Sequence, residues 1–230
     1  MTQALERERQ AQRAGRELEG APAEEIMRWA VQTFGTRFVV ASSMQDAVLV
    51  HLAARVAPGV DVLFLDTGYH FAETIGTRDA VAAAYDVNLI NVLPRQTVAE
   101  QDAEYGPKLH DRNPDLCCAL RKVEPLERAL AGYDAWATGV RRVDAPTRAD
   151  TPVVSYDAKR GKVKVAPMAT WSDADVDRYI AEHNVLINPL LTAGYPSIGC
   201  APCTRAVAPG EDPRAGRWAG LAKTECGLHQ

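Results

Sequence analysis

The chain has 230 residues, of which 47% are hydrophobic and 24% charged, and its formal net charge is -4. This length and composition are typical of a globular chain that buries one sizeable core, so one large domain is expected. The negative charge argues against a general nucleic-acid binder, because such proteins need a basic surplus to neutralise phosphates. Any anionic ligand must therefore be met by Lys and Arg side chains that are gathered locally.

Residues 1–20 are rich in charge and contain no apolar signal core, and no run in the chain approaches the ~20 apolar residues that cross a bilayer. We therefore expect a cytoplasmic protein with neither membrane nor nucleic-acid partners. In that reducing compartment the cysteines, grouped as CC, CxxC and one near the end, are expected to be ligands or catalysts rather than structural disulfides.

The first predicted helix covers AEEIMRWAVQTF, whose apolar residues fall on one face and which stops at Gly35, a helix terminator. A buried strand, RFVVASS, follows it. A helix over DAVLVHLAARV and a second apolar strand, DVLFLDTG, then complete a strand–helix–strand unit.

The same alternation continues through the middle of the chain. It predicts a helix near FAETIGTRDAVAAAY, the strand VNLINVL, a helix from Cys117 to Ala131 and the strand DAWATGV. Strands that alternate with helices predict an α/β fold, an open and mostly parallel sheet with helices on both faces.

The next part of the chain departs from this alternation. The segment TPVVSYDAKRGKVKVAPM predicts a hairpin that turns at Lys159 to Gly161. A helix is expected over WSDADVDRYIAEHN, in which Ser172 and Asp175 have the spacing of a capping box.

The C-terminal region has a different character. From Leu191 onward the sequence is rich in Gly and Pro and shows no periodicity, so its order must come from ligands or contacts. We therefore predict a single nucleotide-binding α/β domain over residues 1–199 and a C-terminal segment over 200–230 that ends in a flexible tail.

Two pairs of cysteines carry the clearest chemical signal. The stretch DLCCALRK places Cys117 and Cys118 side by side, and neighbours cannot readily form a disulfide without strained backbone geometry. GCAPC places Cys200 and Cys203 in a tight loop that can turn two thiolates toward one inorganic centre. Adjacent side chains diverge, which suits two irons of one cubane better than two corners of a zinc tetrahedron. A zinc site, or a pair of cysteines that are simply buried, is the alternative.

A fifth cysteine, Cys226, lies in KTECGLHQ close to Lys223 and His229. Nearby cations stabilise a thiolate, which is the nucleophilic form, and a flexible tail could carry it into a site and out again. The residues alone favour this nucleophile no more than an idle exposed thiol on a frayed terminus.

Two strand ends offer candidate ligand sites. ASSMQD runs from the first strand into a helix, so backbone N–H groups and the hydroxyls of Ser42 and Ser43 could meet a phosphate, although such serines are more often caps. LDTG, which contains Asp66, Thr67 and Gly68, ends the next strand where open parallel sheets bind ligands, although such turns are common.

Basic residues form three further pairs near the cysteine segments and the strand ends. Arginine forks bind phosphate and sulfate groups bidentately. A single pair is more often a solvated surface feature, whereas three pairs in these places favour an anion pocket. The pairs are Arg121 with Lys122, Arg141 with Arg142, and Arg214 with Arg217.

Together the motifs CC, GCAPC and ECGLH, with SSMQDAVL, LDTG and TGVRR between them, resemble those of the assimilatory adenylyl-sulfate (APS) reductases. The resemblance covers nearly the whole chain from about Ala21 onward, and the four cysteines with ECGLH are its most specific part. It implies an adenine nucleotide alpha hydrolase-like fold and a 4Fe-4S cluster. It also implies thioredoxin-dependent reduction of APS to sulfite and AMP, in sulfate assimilation towards cysteine.

The resemblance implies roles for individual residues as well. Cys226 would attack the sulfur of APS to give an S-sulfocysteine, from which thioredoxin releases sulfite by thiol exchange. His229 would steady that attack. The cluster would be held by Cys117, Cys118, Cys200 and Cys203. The SSMQD and LDTG turns would bind the adenosine and its phosphate through Ser42, Ser43, Asp66, Thr67 and Gly68. The phosphosulfate would lie among Lys122, Arg141, Arg142, Arg214 and Arg217.

Two departures bear on the substrate. The first loop lacks the glycine-rich SGGxDS form of the ATP-cleaving relatives, which speaks against ATP hydrolysis. The related PAPS reductases usually lack the cluster cysteines, so the doublet favours APS, although some cluster-bearing members accept PAPS as well.

Two other functions are compatible with the sequence. An ATP-using nucleotide alpha hydrolase relative with a structural zinc would release pyrophosphate and would give Cys226 no role. A nucleotide-binding iron–sulfur or zinc sensor would bind metal and ligand without forming sulfite. The oligomeric state is left open, a homo-oligomer included.

Overall fold

The computed structural model describes residues 3–221 and 223–228 of the chain. The strands in these residues are β1 (Phe38–Ser42), β2 (Val60–Leu65), β3 (Val87–Val92), β4 (Ala135–Thr138), β5 (Val154–Asp157) and β6 (Lys162–Val165). The α-helices are α1 (Gln3–Glu17), α2 (Ala23–Phe34), α3 (Val48–Val56), α4 (Ala72–Ala84), α5 (Val98–Tyr105), α6 (Leu109–Arg112), α7 (Pro114–Cys118), α8 (Glu124–Ala129) and α9 (Asp173–His183).

The strands form one sheet in the order β3-β2-β1-β4-β6-β5. Neighbours pair in parallel, with the exception of β5 and β6, which form an antiparallel hairpin. The mostly parallel α/β fold expected from the sequence is therefore confirmed, and so is the hairpin around Lys159 to Gly161. The capping box of Ser172 and Asp175 is present at the start of α9.

Apolar side chains cover both faces of the sheet. Val40 and Ala137 point into the larger core, which α1, α2, α3 and α9 cover, whereas Val39 and Trp136 point to the opposite face. There they pack against Leu126 of α8. Alternation along β1 and β4 thus gives each face its own core, as a parallel sheet between helices requires.

Helix α1 was not among the predicted elements. Its buried positions are the small residues Ala11 and Ala14, which give little periodic apolar signal. The helix packs closely on β5, because a Cβ added at Gly15 would lie 2.5 Å from the carbonyl oxygen of Val154. No helix in the described ranges has both the length and the apolarity needed to cross a bilayer.

The helix predicted from Cys117 to Ala131 begins earlier and changes its winding. Asn113 caps it, since its side chain accepts a hydrogen bond from Leu116 N at 3.1 Å. A π-helical turn at Ala119–Val123 follows the cysteine doublet directly and joins α7 to α8. Such turns are rare and are often found at functional sites.

The chain after Gly194 contains neither a strand nor an α-helix in its described part, and backbone contacts order it. Val207 N donates to Gly194 O at 2.9 Å, and Trp218 N donates to Cys203 O at 2.9 Å. The division of the chain at residue 200 and the flexibility of the tail stay predictions.

Candidate active site

A cleft of about 590 Å³ opens at the carboxyl ends of β1, β2 and β4. The chain leaves β1 toward β2, whereas β4 lies on the other side of β1, so the strand order reverses at this point. Open α/β sheets bind ligands at such a switch point. Ser42, Leu65 and Thr138, each at the end of its strand, line the cleft.

The first loop contributes the floor of the cleft. Ser42 and Ser43 line it, and Ser42 Oγ accepts a hydrogen bond from Met44 N at 3.3 Å. Gln45 braces the loop against the C-terminal region, because its Oε1 accepts from Ile198 N at 2.9 Å.

A carboxylate of the same loop also faces the cleft. Asp46 lines it and accepts a hydrogen bond from Val48 N at 3.0 Å, while burial raises the pKa of its carboxyl group.

The four paired cysteines line a second, much smaller cavity of about 10 Å³. Cys117 and Cys118 come from the end of α7, and Cys200 and Cys203 come from the loop that Ala201 N anchors to Tyr69 O at 2.7 Å. Cys117, Cys118 and Cys200 are each no more than 8% exposed. The structure thus brings together the doublet and the CxxC loop, which are far apart in sequence.

This cysteine cavity has the chemistry of a soft-metal site. Its described lining contains the four thiols and the cations Arg121, Lys122 and Arg217, but no carboxylate. Burial and the neighbouring thiols raise the pKa of Cys117 to about 12, and burial and Cys200 raise that of Cys203 to about 11. Among the described residues, no three His, Cys, Asp or Glu side chains are grouped around the position of one metal ion.

The LDTG turn lies beside the cysteine cavity. Thr67 is fully buried, and its hydroxyl lies 3.3 Å from Cys200 Sγ. Asp66 forms an ion pair with Arg78 at 3.6 Å, and Gly68, at a φ of 72°, packs against a guanidinium. None of these three LDTG residues is among the residues that line the cleft, although the strand before them reaches it through Leu65.

Arg121 connects that turn to the helix of the doublet. It is only 3% exposed, and its guanidinium donates to the carbonyl oxygen of Thr67 and to Gln101 Oε1 at 3.0 Å. It also lies over the ring of Tyr69, 5.1 Å from the centroid. These contacts occupy the Arg121 guanidinium within the fold. Of this pair of cations, Lys122 is the one that lines the cleft.

Lys122, Arg217 and Trp218 border both the cleft and the cysteine cavity. Within the described residues, Lys122 has no hydrogen-bond or ion-pair partner. Burial opposes its charge, yet the sulfurs of Cys200 and Cys226 raise its pKa overall. A cation held here faces sulfur on one side and the open cleft on the other.

Arg217 has no carboxylate partner in the described part of the chain, and neutral groups hold its guanidinium. It donates to Ser197 Oγ at 3.2 Å and to Ile198 O at 3.3 Å, and it stacks on Trp218 at 4.6 Å. Gly199 leaves room for the guanidinium, since an added Cβ would overlap it. Its buried Nε has no partner in the described residues, and burial together with Arg214 lowers its pKa.

The arginines after β4 line the cleft in a different way. Arg141 pairs with Asp144 and Asp173, both at 2.8 Å, and Arg142 pairs with Glu19 at 2.8 Å. Sequence reasoning missed Arg148, which also lines the cleft. Its signal was present in RRVDAPTR, where it is the third arginine after the strand end.

The C-terminal tail closes one side of the cleft. Cys226 is half-buried and lines the cleft, and the preceding Glu225 pairs with Arg148 at 2.8 Å and with Arg214 at 3.4 Å. Lys223 forms an ion pair with Asp115, next to the cysteine doublet. The predicted role of His229 lies outside the described residues.

The tail also reaches the second face of the sheet. Leu228 packs against the group of side chains that contains Trp136. The cleft therefore brings Cys226 together with these predicted substrate-binding residues: Ser42, Ser43, Lys122, Arg141, Arg142, Arg214 and Arg217.

Residues 37–206 match the family profile described as phosphoadenosine phosphosulfate reductase domain. The chain belongs to this family. The family resemblance seen in the motifs is thereby confirmed, and with it the prediction of a reductase enzyme.

Several curated relatives are similar over nearly their whole length. An adenosine 5'-phosphosulfate reductase of Streptomyces coelicolor is 73% identical over 95% of this chain and 93% of its own length. One of Mycolicibacterium smegmatis is 63% identical over the same shares. Among solved structures, the phosphoadenylyl-sulfate reductase of Candida auris, a phosphate complex, is 30% identical with a TM-score of 0.73, over 90% of this chain and 98% of that chain.

Proposed function

We propose that this family member catalyses the thioredoxin-dependent reduction of adenylyl sulfate to sulfite and AMP, in sulfate assimilation towards cysteine. The observation that carries the proposal is the position of Cys226. This thiol lines the same cleft as Lys122 and Arg217, the two cations that also border the cysteine cavity. The names of the relatives at 73% and 63% identity support APS as the substrate.

In the proposed first step, the thiolate of Cys226 attacks the sulfur of the sulfate group. A bond forms between Sγ and that sulfur, the bond from sulfur to the phosphate oxygen breaks, and AMP leaves with the electron pair. Lys122 and Arg217, which line the cleft with Cys226, would balance negative charge that gathers on the phosphosulfate as the thiolate approaches. Fixed cations in a partly desolvated cleft stabilise such a transition state without reorganising.

In the second step, a thioredoxin thiolate attacks Sγ of Cys226 and expels sulfite. The second thiol of thioredoxin then displaces Cys226 from the mixed disulfide, so thioredoxin ends oxidised and the enzyme thiol is restored. Both electrons that reduce the sulfur come from thioredoxin. Because Cys226 is half-buried, we propose that the tail moves to expose the thiol for this step.

A 4Fe-4S cluster is part of the proposal, with Cys117, Cys118, Cys200 and Cys203 as its ligands. Four soft donors around one cavity, with three cations and no carboxylate in the described lining, suit an anionic cluster with thiolate ligands. Such a cluster would supply a fixed charge beside Lys122. The hydroxyl of Thr67 is placed to donate to the Cys200 ligand.

The test uses anaerobically purified protein with APS or PAPS and reduced thioredoxin. We expect sulfite from wild type, faster from APS than from PAPS, and none from Cys226→Ser. That variant should keep the brown colour that the proposed cluster would give the protein. Cys117→Ser or Cys203→Ser, which each remove a proposed ligand, should lose this colour. If neither APS nor PAPS gives sulfite, the reductase proposal is overturned in favour of a sensor. Unchanged turnover of Cys226→Ser would overturn the mechanism. Release of pyrophosphate from ATP would favour the ATP-using alternative.

A further inference from the structure

The residue before Cys226 is the most firmly held part of the described tail. Both oxygens of the Glu225 carboxylate accept hydrogen bonds from Arg148, from Nε and from Nη2, each at 2.8 Å. Thr147 Oγ1 donates to one oxygen at 3.3 Å, and Arg214 Nη2 donates to the other at 3.4 Å. Arg214 also donates to Thr224 O at 2.9 Å, so the backbone is tied down as well.

This pair differs from the ordinary surface ion pairs of the chain. The Arg148 and Glu225 side chains are only 14% and 9% exposed, whereas the exposed pair of Arg205 and Glu211 in the same segment has 48% and 30% exposure. Exposed pairs contribute little, because water screens them. A shielded bidentate pair fixes both distance and orientation, and breaking it leaves an unpaired charge out of water.

We propose that Glu225 is a positioning residue, whose bidentate pair with Arg148 holds the thiol of Cys226 at the cleft. The inference rests on the proposed attack by Cys226. Cys226 follows Glu225 directly in the chain, so fixing the carboxylate restricts where the thiol can lie. Orientation of this kind raises the rate of a step between two held reactants.

The contacts of Glu225 distinguish this role from that of a proton acceptor. Each oxygen already accepts two hydrogen bonds from Arg148, Thr147 and Arg214, so its lone pairs are occupied. Although burial opposes its charge, the hydrogen bond from Arg148 lowers its pKa overall, which makes the carboxylate a weak base. Glu225 therefore acts through position and not through proton transfer.

The cations around the cleft also differ in whether they have a carboxylate partner. Arg148 and Arg214 meet the tail carboxylate, whereas Lys122 and Arg217, without carboxylate partners in the described residues, stay available to the substrate. Loss of Glu225 should therefore slow the attack on bound substrate more than it weakens nucleotide binding.

The first test measures how accessible the thiol is, independently of turnover. Wild type, Glu225→Gln and the matched control Glu211→Gln are treated with iodoacetamide, and the alkylation of the peptide that contains Cys226 is followed by mass spectrometry. We expect Glu225→Gln to react roughly fivefold faster or more, because the tail opens more often, and Glu211→Gln to react like wild type. Equal rates in all three proteins would overturn the proposal.

The second test separates this inference from the proposed function. With APS and no thioredoxin, wild type and Glu211→Gln should form the S-sulfocysteine at the same rate, and Glu225→Gln roughly tenfold or more slowly, with its dissociation constant for AMP little changed. Glu225→Asp, which keeps the charge on a shorter side chain, should be intermediate. An adduct that forms equally fast in Glu225→Gln overturns the positioning role alone. No adduct in wild type overturns the proposed function itself.

Discussion

The two walls of the cleft use their cations in different ways. On the wall shared with the cysteine cavity, Lys122 and Arg217 have no carboxylate partner among the described residues. On the wall formed by the loop after β4, the arginines are paired with carboxylates, such as Arg142 with Glu19 at 2.8 Å and Arg148 with Glu225 at 2.8 Å.

The presence or absence of a carboxylate partner separates cations that hold the fold together from cations that can bind a ligand, although both look alike in the sequence. Holding a cation out of water is costly unless neutral acceptors surround it, as they do Arg121, or an anion binds beside it. We infer that Lys122 and Arg217 form the wall that the phosphosulfate completes.

Arg142 ties the loop after β4 to Glu19, and Arg148 ties that loop to the tail through Glu225. The substrate contacts expected of Arg141, Arg142 and Arg214 stay predictions.

The largest loss of activity is expected when a cation is replaced on the wall shared with the cysteine cavity, the unpaired wall. Lys122→Met should lower kcat/KM for APS by roughly a hundredfold to a thousandfold, because charge that develops in the transition state loses a fixed partner. The visible absorption of the purified protein should stay, since no cysteine ligand is changed. Lys122→Arg should recover part of the rate. A loss of less than about threefold would remove Lys122 from the proposed charge balance.

A much smaller loss of activity is expected when an arginine is replaced on the wall formed by the loop after β4, the paired wall. Arg142 meets Glu19 and donates to Thr151 O at 2.9 Å, so Arg142→Met should mainly loosen the contact between the loop after β4 and the end of α1. We expect kcat/KM to fall by no more than about threefold and the free energy of unfolding by about 1 kcal/mol. Steady-state kinetics and urea unfolding test this. A loss as large as that of Lys122→Met would erase the distinction between the walls.

The smallest expected change is in the pH dependence of stability that the ion pair of Arg142 and Glu19 gives the fold. The hydrogen bond from Arg142 lowers the pKa of Glu19 in the folded state. The pair therefore stabilises the fold above the ordinary pKa of Glu19, 4.5, and this contribution is lost as the pH falls through the lowered value. Because Glu19 is 45% exposed, Glu19→Gln should cost under ~0.5 kcal/mol at pH 7, with a smaller cost toward pH 3. An equal cost at both pH values would contradict the assigned cause.

Much of this organisation can be predicted from local sequence. Apolar runs that alternate with amphipathic helices define the parallel sheet. The cysteines of DLCCALRK and GCAPC, expected to lie together, line one cavity. The family motifs point to Cys226 as the proposed nucleophile. These features depend on residues that are close in sequence, where periodicity and spacing are informative.

The division between the two walls depends on partners that are distant in sequence. Arg142 meets Glu19 across 123 residues, and Arg148 meets Glu225 across 77. Thr67, whose contact with the nucleotide stays a prediction, lies next to Cys200, 133 residues away. A strand end shows that a turn reaches the ligand edge of the sheet, but not which neighbouring loop it meets there. Helix α1, with alanines as its buried residues, escaped prediction for a related reason.

In the proposed reaction, Cys226 carries the sulfur between substrate and thioredoxin. The most direct measurement adds APS to the wild-type protein without thioredoxin, digests it and locates the modified cysteine by peptide mass spectrometry. We predict one added SO₃ group on Cys226, removed again with release of sulfite when reduced thioredoxin is supplied. An SO₃ group on any other cysteine, or sulfite formed with thioredoxin while Cys226 never carries the group, would contradict this account.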